Sequence, residues 1–394
     1  MIILLMLLGL VFWASFVALF WTYFGYPLLM WGRARWQKLP SVVDADNRPA
    51  VTLLIPVHNE ADVIRRKLEN TLTIEYPVDR WQVLVVDDGS SDETTAIVAE
   101  YEEQGVTLLR QPVRSGKMNA VNAGLAAASG DIVILSDASP SYDVHAIKLL
   151  VQHFSDPQIG VVVGTLAVWD AENAVAKSAG LYWKYEAALR RWESQTGSTV
   201  AVHGNMFALR REQYQPLQTG TINDEFSIAM EMMRQGYRVI YEPAALSYDD
   251  ASATMGDEFN RRVRINAGRY QALFSAGYLK TPTFDLAFRL FSHKLLRPLT
   301  PVFMFFVLLS NVLLCGATGS WFWWLALAGQ SVFYLLAGAG WLAERQGRRA
   351  RYLNIPYFFV SSNLAALLGL WRWVWGTQRV TWQKRTSEHE NAAN

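Results

Sequence analysis

Acidic side chains directly follow short apolar runs in the middle of the chain. Residues 83–86 form an apolar run, mostly β-branched, that leads straight into Asp87 and Asp88, and residues 131–135 are followed by Ser136 and then Asp137. A buried strand would deliver these carboxylates to its carboxyl end, the edge at which open α/β sheets bind ligands. Such an acid can bind a hard cation that prefers oxygen ligands. The alternative is an ordinary strand-to-helix turn, in which small polar residues cap the next helix.

Three further side chains have types suited to catalysis. Asp224 and Glu225 stand side by side at a predicted helix start, where a carboxylate could act as general base toward a hydroxyl. The helix dipole also favours acids at that position, so a purely structural role is the alternative. Lys117 lies near the start of a small-residue helix and could meet an anionic ligand together with helix amides, or be a solvated lysine.

Arginines concentrate in the segment NRRVRINAGRYQ, residues 260–271. Arg262 and Arg269 share one predicted helical face, and Arg261 and Arg264 share another. Guanidinium groups bind phosphate in a fork, so this segment is a candidate phosphate site. The alternative is a basic face near anionic lipid.

Aromatic residues and a histidine offer a second surface. Trp183 belongs to a long predicted helix, residues 171–193, whose aromatic side chains could form a groove wall for sugar rings or could simply pack. His203 and Gly204 precede a strand at residues 206–209, where a glycine permits close backbone approach. A lone histidine there can also be structural.

The elements that must position these residues alternate between strands and helices. The pattern βαβαβ predicts a mainly parallel sheet. No G-x-G-x-x-G follows the first strand, and the chain contains no G-x-x-x-x-G-K-[ST], which excludes the dinucleotide fingerprint and the P-loop. The predicted strands of this pattern are residues 51–56, 81–86 and 106–109.

Apolar segments at both ends predict a membrane protein with a polar middle. Residues 1–31 can cross a bilayer and lack the features of a cleaved signal peptide. The basic residues after them place the following domain in the cytoplasm. Residues 301–317 and 321–342 predict a spanning hairpin, whereas residues 354–375 could span or lie at the interface.

Composition excludes several classes of protein. The 394 residues include 36 Lys plus Arg and 35 Asp plus Glu. The chain therefore lacks the excess of basic residues that would indicate nucleic acid binding. The chain has one cysteine, Cys315, which excludes a disulfide framework or a cysteine-based metal site within the chain. The apolar fraction of 51% fits the membrane segments.

Seven motifs, in order, resemble the membrane-bound family 2 glycosyltransferases, which include synthases of cellulose, chitin, hyaluronan and exopolysaccharides. They are PVHNE, VVDDGSSD, GKMNAVNAG, ILSDAS, HGNMFALRR, NDEF and RRVRINAGRYQ, and the resemblance covers residues 51–297. It implies a GT-A fold, an α/β domain with a mainly parallel sheet, joined to an α-helical membrane region. It also implies inverting transfer from a nucleotide-diphosphate sugar.

The resemblance assigns roles to individual residues. Glu225 would be the catalytic base, with Asp224 as the alternative because the acidic pair is inverted. Asp137 would hold Mg2+ or Mn2+, although the second acid of the family's D-x-D is Ser139 here. The acceptor site would include Trp183, His203 and Gly204. The nucleotide sugar would be bound by Pro56, His58, Glu60, Asp87, Asp88, Lys117, Asp137, Arg261 and Arg264.

A second departure concerns the Q-x-x-R-W motif of processive synthases. Arg264 matches its arginine, but Ile265 replaces its tryptophan. The resemblance therefore favours transfer to a lipid-linked or growing glycan acceptor, with a processive polysaccharide synthase coupled to export, or a noncatalytic membrane scaffold, as alternatives.

The expected layout places the enzyme in a bacterial inner membrane. We expect an anchor at residues 1–31, a cytoplasmic GT-A domain at 32–290, an interfacial helix at 291–300, membrane segments at 301–376 and a polar tail at 377–394. The expected donor is a nucleotide-diphosphate sugar in which the nucleotide is UDP. The other expected partners are a glycan or polyprenyl-linked acceptor, the lipid bilayer and export or assembly proteins.

Overall fold

The computed structural model describes residues 1–40, 42–168, 174–250, 255–346, 348 and 351–378. The polar tail from residue 379 onward, the predicted helix start at 171–173 and residues 347, 349 and 350, between two predicted membrane segments, lie outside these residues. The described chain forms two compact units. The sheet unit comprises Arg33–Asp170 and Lys184–Ala253, and the helical unit comprises Met1–Gly32, Ala171–Trp183 and Thr254–Gln378.

Eight strands form one sheet in the sheet unit, in the order β3-β2-β1-β4-β7-β6-β8-β5. They are β1 (Val51–Val57), β2 (Trp81–Asp88), β3 (Val106–Gln111), β4 (Ile132–Leu135), β5 (Ser141–Tyr142), β6 (Ile159–Val168), β7 (Phe207–Arg210) and β8 (Arg238–Asp249).

Thirteen α-helices occur in the described residues. They are α1 (Ile2–Phe20), α2 (Tyr26–Trp36), α3 (Ala61–Leu72), α4 (Thr94–Ala99), α5 (Lys117–Ala127), α6 (Ala146–Val151), α7 (Ala174–Gln195), α8 (Asp224–Arg234), α9 (Met255–Tyr270), α10 (Phe284–Arg289), α11 (Thr300–Thr318), α12 (Trp321–Arg345) and α13 (Arg351–Val374).

The mainly parallel sheet predicted from the sequence is confirmed. β1 pairs in parallel with β2 and β4, and β2 pairs in parallel with β3. Every residue of β1 is buried, as expected for a central parallel strand covered on both faces. β7 runs antiparallel between β4 and β6, with Leu135 opposite Phe207. The start of β7 therefore lies at the sheet edge where β4 ends.

The sequence also predicts a strand at residues 161–164, which lie within β6, but it does not predict β5 or β8. β8 pairs in parallel with β6 along most of its length, and β5 is a two-residue strand on the outer side of β8. β8 contains Pro243, which would interrupt a regular ladder, and register shifts along the β6–β8 pair accommodate this irregular strand. Pairing within the sheet therefore overrides a weak local strand signal.

The described residues contain four helical stretches that are long and apolar enough to cross a membrane. The first, Ile2–Trp36, is continuous through a π-helical turn at Trp21–Gly25. The other three are Thr300–Thr318, Trp321–Arg345 and Tyr352–Val374. The last of these continues through Pro356 as one helix, so it has the length of a full span.

The segment predicted as an interfacial helix is helical. It follows α10 as a π-helical stretch, Leu290–Leu295, in which Phe291 is exposed whereas His293 and Lys294 are buried. Arg297 lies with its guanidinium 5.9 Å from the ring of Tyr182, inside the same unit. The cations of this segment are thus largely packed within the unit.

Candidate active site

The carboxyl ends of neighbouring parallel strands bring the predicted acids to one edge of the sheet. β2 ends at Asp88 beside the end of β1, and Asp137 follows β4 on the other side of β1. Asp87 and Asp88 are both buried, although each carries a carboxylate. Buried carboxylates require hydrogen-bond donors, and nearby loops supply them.

Asp88 binds the loop that leads into α5. Its Oδ1 accepts hydrogen bonds from the backbone N–H and the hydroxyl of Ser115, at 2.6 and 3.0 Å. Its Oδ2 accepts from the backbone N–H of Gly116 at 2.8 Å. Gly116 has a φ of 95°, a left-handed conformation that glycine adopts without steric cost. Asp88 thereby fixes the point from which Lys117 extends.

Asp87 and Asn59 shape the two turns beside the site. Asp87 accepts a hydrogen bond from the backbone N–H of Ser90 at 3.1 Å. Asn59 has a φ of 56°, and its Oδ1 accepts from the backbone N–H of Ser91 at 2.8 Å. Asparagine tolerates this left-handed conformation better than other side chains. The loops after β1 and β2 are consequently held together.

Lys117 is the central cation of the site. Its Nζ lies 3.0 Å from Oδ1 of Asp137, 3.2 Å from Oδ2 of Asp224 and 2.9 Å from Oε1 of Glu225. Lys117 begins α5, Asp224 and Glu225 begin α8, and Asp137 follows β4. Three separate segments of the sheet unit therefore meet at one ammonium group.

These side chains border a cleft of about 190 Å3, including space open to solvent. It is lined by Pro56, Lys117, Val121, Leu135, Ser136, Asp137, Gly204, Asp224 and Glu225. Of the predicted site residues, the cleft thus brings together Pro56, Lys117, Asp137, Gly204 and the acidic pair.

Burial and neighbouring charges shift the pKa values of Glu225 and Lys117 in the cleft. Burial, and then the adjacent Asp224, raise the pKa of Glu225 to about 7, while Lys117 acts in the opposite direction. Burial opposes the charge of Lys117, but Asp137, Asp224 and Glu225 outweigh it and raise the Lys117 pKa well above its usual value. A carboxyl that titrates near neutrality suits proton transfer at physiological pH.

Gly204 packs directly against Glu225. A Cβ atom at Gly204 would collide with Oε1 of Glu225, so only glycine fits while that carboxylate keeps its place. The neighbouring His203 is placed so that its Nε2 lies 3.0 Å from the backbone oxygen of Gly164. Burial, and then Arg190, lower the pKa of His203 to about 3, so the ring is neutral at physiological pH.

His58 and Glu60 lie in the loop after β1, and three other predicted residues belong to the helical unit. His58 places Nδ1 2.9 Å from the backbone oxygen of Asp88, and the backbone N–H of Glu60 donates to the hydroxyl of Thr94. Arg261 belongs to the helical unit, where it pairs with Glu258 at 2.8 Å. Trp183 and Arg264 belong to that unit as well, so their assigned roles, like those of the other site residues, stay predictions.

Sequence reasoning missed the residues that support the site. Ser115 and Gly116 hold Asp88, and the only signal for them was the turn sequence RSGK. Lys67 is 1% exposed, donates from Nζ to the backbone oxygen of Pro140 at 2.7 Å, and lies over the ring of Tyr142. Its position in an amphipathic helix gave no sign of this burial, because long lysines usually reach solvent.

The donor set around Asp137 fits a divalent cation that is bound mainly by a ligand. The described residues contain no cluster of three or more His, Cys, Asp or Glu side chains arranged to hold a metal. Among the three acids that line the cleft, Asp137 has the most exposed side chain, at 34%, against 8% for Asp224 and 14% for Glu225. Mg2+ is commonly held by one or two carboxylates together with phosphate oxygens and water, which matches this arrangement.

Comparison with known proteins identifies relatives of this chain. The family description "Glycosyl transferase family 2" matches residues 52–217. The chain is 28% identical over 285 residues to the Bacillus subtilis protein described as "Probable glycosyltransferase YdaM", spanning 67% of this chain and 66%, just under two thirds, of that protein. It is 25% identical over 294 residues to a Staphylococcus aureus poly-beta-1,6-N-acetyl-D-glucosamine synthase, spanning 72% of this chain and 70% of that one.

A solved structure resembles nearly the whole chain. The mannosyltransferase PcManGT from Pyrobaculum calidifontis, in complex with GDP-Man and Mn2+, has a TM-score of 0.72 and 25% sequence identity. The similarity covers 92% of this chain and 99% of that one. The fold is therefore shared over both the sheet and the helices that follow it.

Proposed function

Because this chain is a glycosyltransferase with a family 2 domain and a GT-A fold, we propose that it transfers a sugar, with inversion, from a nucleotide-diphosphate sugar to a lipid-linked or growing glycan acceptor. One observation carries the proposal. A single ammonium, Lys117, joins the predicted metal ligand Asp137 to the predicted base Glu225, with both carboxylates within 3.0 Å of Nζ. The donor phosphates and the attacking hydroxyl would meet at this point.

Glu225 is the proposed base. Its carboxylate takes the proton from an acceptor hydroxyl while that oxygen attacks the anomeric carbon from the face opposite the diphosphate. The bond between the anomeric carbon and the diphosphate oxygen breaks, and the diphosphate leaves with the electron pair. Asp224, beside it in the first turn of α8, remains the alternative base.

The leaving diphosphate needs positive charge. Lys117 supplies an ammonium within the cleft, and the predicted phosphate contacts of Arg261 and Arg264 would add guanidiniums. A divalent cation, Mg2+ or Mn2+, held by Asp137 and the phosphates would supply further neutralisation of the developing charge. We propose that the nucleotide is UDP. Its uridine part would be surrounded by Pro56, His58, Glu60, Asp87 and Asp88.

The proposed setting is the cytoplasmic face of a bacterial inner membrane. Four membrane-length helical stretches support it, together with Arg33 and Arg35 in the last turn of the first stretch and Lys38 just after it. The proposed acceptor is carried on a polyprenyl lipid of that membrane. The acceptor side is assigned to Trp183, His203 and Gly204.

A processive polysaccharide synthase is the second candidate, because one relative is named as a poly-beta-1,6-N-acetyl-D-glucosamine synthase. Ile265, in place of the tryptophan of the processive motif, favours single or short transfers. Product sizing separates the two: purified full-length protein should yield one defined glycolipid rather than a ladder of long glycans. Export or assembly proteins would be required only in the processive case.

The proposal is tested with detergent-purified full-length protein and a panel of UDP- and GDP-sugars. We expect diphosphate release with at least one UDP-sugar. Glu225→Gln should abolish transfer while nucleotide binding, measured by calorimetry, changes less than about threefold. Glu231→Gln, in the same helix and outside the cleft, is the matched control and should retain activity. Unchanged turnover in Glu225→Gln would remove Glu225 as the base.

A further inference from the structure

Lys117 neutralises a cluster of carboxylates that has no second cation in the described cleft lining. Asp137, Asp224 and Glu225 each place a carboxylate oxygen 2.9 to 3.2 Å from Nζ. The side chains of Asp224 and Glu225 are 8% and 14% exposed, so solvent screens them poorly. Without the ammonium, three acids would repel one another in a low-dielectric site, which disfavours their charged forms. The ion cluster therefore depends on Lys117.

The same ammonium engages the carboxylate that is the proposed metal ligand. Oδ1 of Asp137, the proposed metal ligand, accepts a hydrogen bond from Nζ of Lys117 at 3.0 Å. A divalent cation bound to that carboxylate would lie close to the ammonium, and two cations at such a distance repel strongly where dielectric screening is weak. The negative charge of a donor diphosphate would offset this repulsion and would give Nζ alternative acceptors.

We propose that Lys117 is an internal counter-ion that holds the cation position of the ligand-free cleft, so that a divalent metal binds only together with the nucleotide diphosphate. This inference rests on the proposed function. Its consequence is a positive binding coupling between metal and nucleotide, which is reciprocal by thermodynamic necessity. Lys117 is then a positioning residue that sets the order of assembly, in addition to contacting the diphosphate.

Mn2+ binding provides a readout that does not depend on turnover. The affinity of the detergent-purified full-length protein for Mn2+ is measured by electron paramagnetic resonance, with and without UDP. Wild-type protein should bind Mn2+ at least tenfold more tightly with UDP than without it. Lys117→Met should bind Mn2+ alone at least tenfold more tightly than wild type, and the gain from UDP should shrink accordingly.

Three variants make the result specific. Lys117→Arg keeps the positive charge and should keep the coupling. Lys148→Met removes an exposed lysine elsewhere in the sheet unit and should match wild type. Asp137→Asn combined with Lys117→Met should abolish the gain in Mn2+ affinity. Added Mn2+ should also raise the melting temperature of Lys117→Met more than that of wild type.

The outcomes distinguish this inference from the function on which it rests. A folded Lys117→Met protein with wild-type Mn2+ affinity in the absence of UDP overturns the counter-ion role. Wild-type protein that binds Mn2+ equally well with and without UDP overturns it too, and needs no variant to fold. If the coupling is present but Glu225→Gln transfers sugar normally, the assignment of the base fails while the role of Lys117 stands.

Discussion

Oδ2 of Asp88 accepts a hydrogen bond from the backbone N–H of Gly116 at 2.8 Å, joining the end of β2 to the start of α5. Oδ1 of the same carboxylate accepts twice from Ser115. Asp88 is buried, so its two oxygens meet three donors with little help from solvent. The position of Lys117, the next residue after this clamp, therefore depends on a carboxylate 29 residues earlier in the chain.

Asp88→Asn tests this clamp. The amide keeps one acceptor oxygen but turns an NH2 group toward backbone donors, and an unsatisfied buried group costs about 1–3 kcal/mol. We expect a melting temperature lower by roughly 2–4 °C for each kcal/mol lost. Nucleotide affinity, measured by calorimetry, should fall about tenfold, which corresponds to about 1.4 kcal/mol. Asp79→Asn, at an exposed carboxylate, is the control and should change neither value.

Gly204→Ala tests the close contact with Glu225. The added methyl group would push the carboxylate away from its place in the cleft. A displacement of the order of 1 Å can cost about 100-fold in rate, so we expect kcat to fall by about that factor. Nucleotide affinity should stay within threefold of wild type.

The control for that substitution is Gly329→Ala in α12, where a Cβ atom meets open space. It should leave activity unchanged. A Gly204→Ala enzyme with wild-type kcat would show that Glu225 can move without loss, and it would favour Asp224 as the base.

The pH profile tests the protonation of Glu225. A base must be deprotonated to accept a proton, and the pKa of Glu225 is raised to about 7 by burial and by Asp224. We therefore expect kcat/KM to rise about tenfold per pH unit below pH 7 and to level off above it. A flat profile between pH 5.5 and 8.5 would contradict this assignment.

Glu225 should also affect stability in a defined direction. A pKa raised above the ordinary value near 4.5 means that the folded protein holds the proton more tightly than the unfolded chain. This contribution is complete below pH 4.5 and is lost as the pH rises through 7. The melting temperature of Glu225→Gln minus that of wild type should therefore increase as the pH is raised from 5 to 7.5.

Lys67 should show the opposite pH dependence. Burial lowers its pKa to about 7, although Asp137 and Asp249 oppose the shift. Between pH 7 and 10.5 the unfolded chain holds the proton that the folded protein has released, so the stability of wild type should rise with pH relative to Lys67→Met. Melting temperatures at pH 6.5, 8 and 9.5 measure this difference.

Lys148→Met is the control for Lys67 because Lys148 is exposed. Its difference from wild type should not change with pH. A constant difference between Lys67→Met and wild type over the same range would show that Lys67 keeps its proton in the folded protein.

The sequence predicted those parts of the fold that local patterns determine. The β-branched runs at residues 51–56 and 83–86 became central strands because their apolar side chains require burial on both faces. The resemblance to family 2 glycosyltransferases is confirmed by the family match and the relatives. β8 was not predicted, because Pro243 and small residues weaken its local signal and its pairing with β6 decides its conformation.

The contacts of the site were less accessible to sequence reasoning. Residue types at strand and helix ends identified Asp137, Lys117 and Glu225 individually. Lys117 and Glu225, which are in contact in the structure, are 108 positions apart in the sequence. No periodicity of the sequence predicts where a lysine side chain points over such a separation. The collision that restricts Gly204 depends equally on a helix that comes later in the chain.

Because β7 runs antiparallel to β4, the proposed nucleotide contacts and the proposed acceptor contacts come from different kinds of segment. Loops that leave β1, β2 and β4 carry the proposed nucleotide contacts, whereas the segment with His203 and Gly204 enters β7 at the same edge from the opposite direction. An exchange of that entering segment between homologous enzymes would leave the departing loops intact. We expect such chimaeras to inherit a new acceptor preference while keeping their donor.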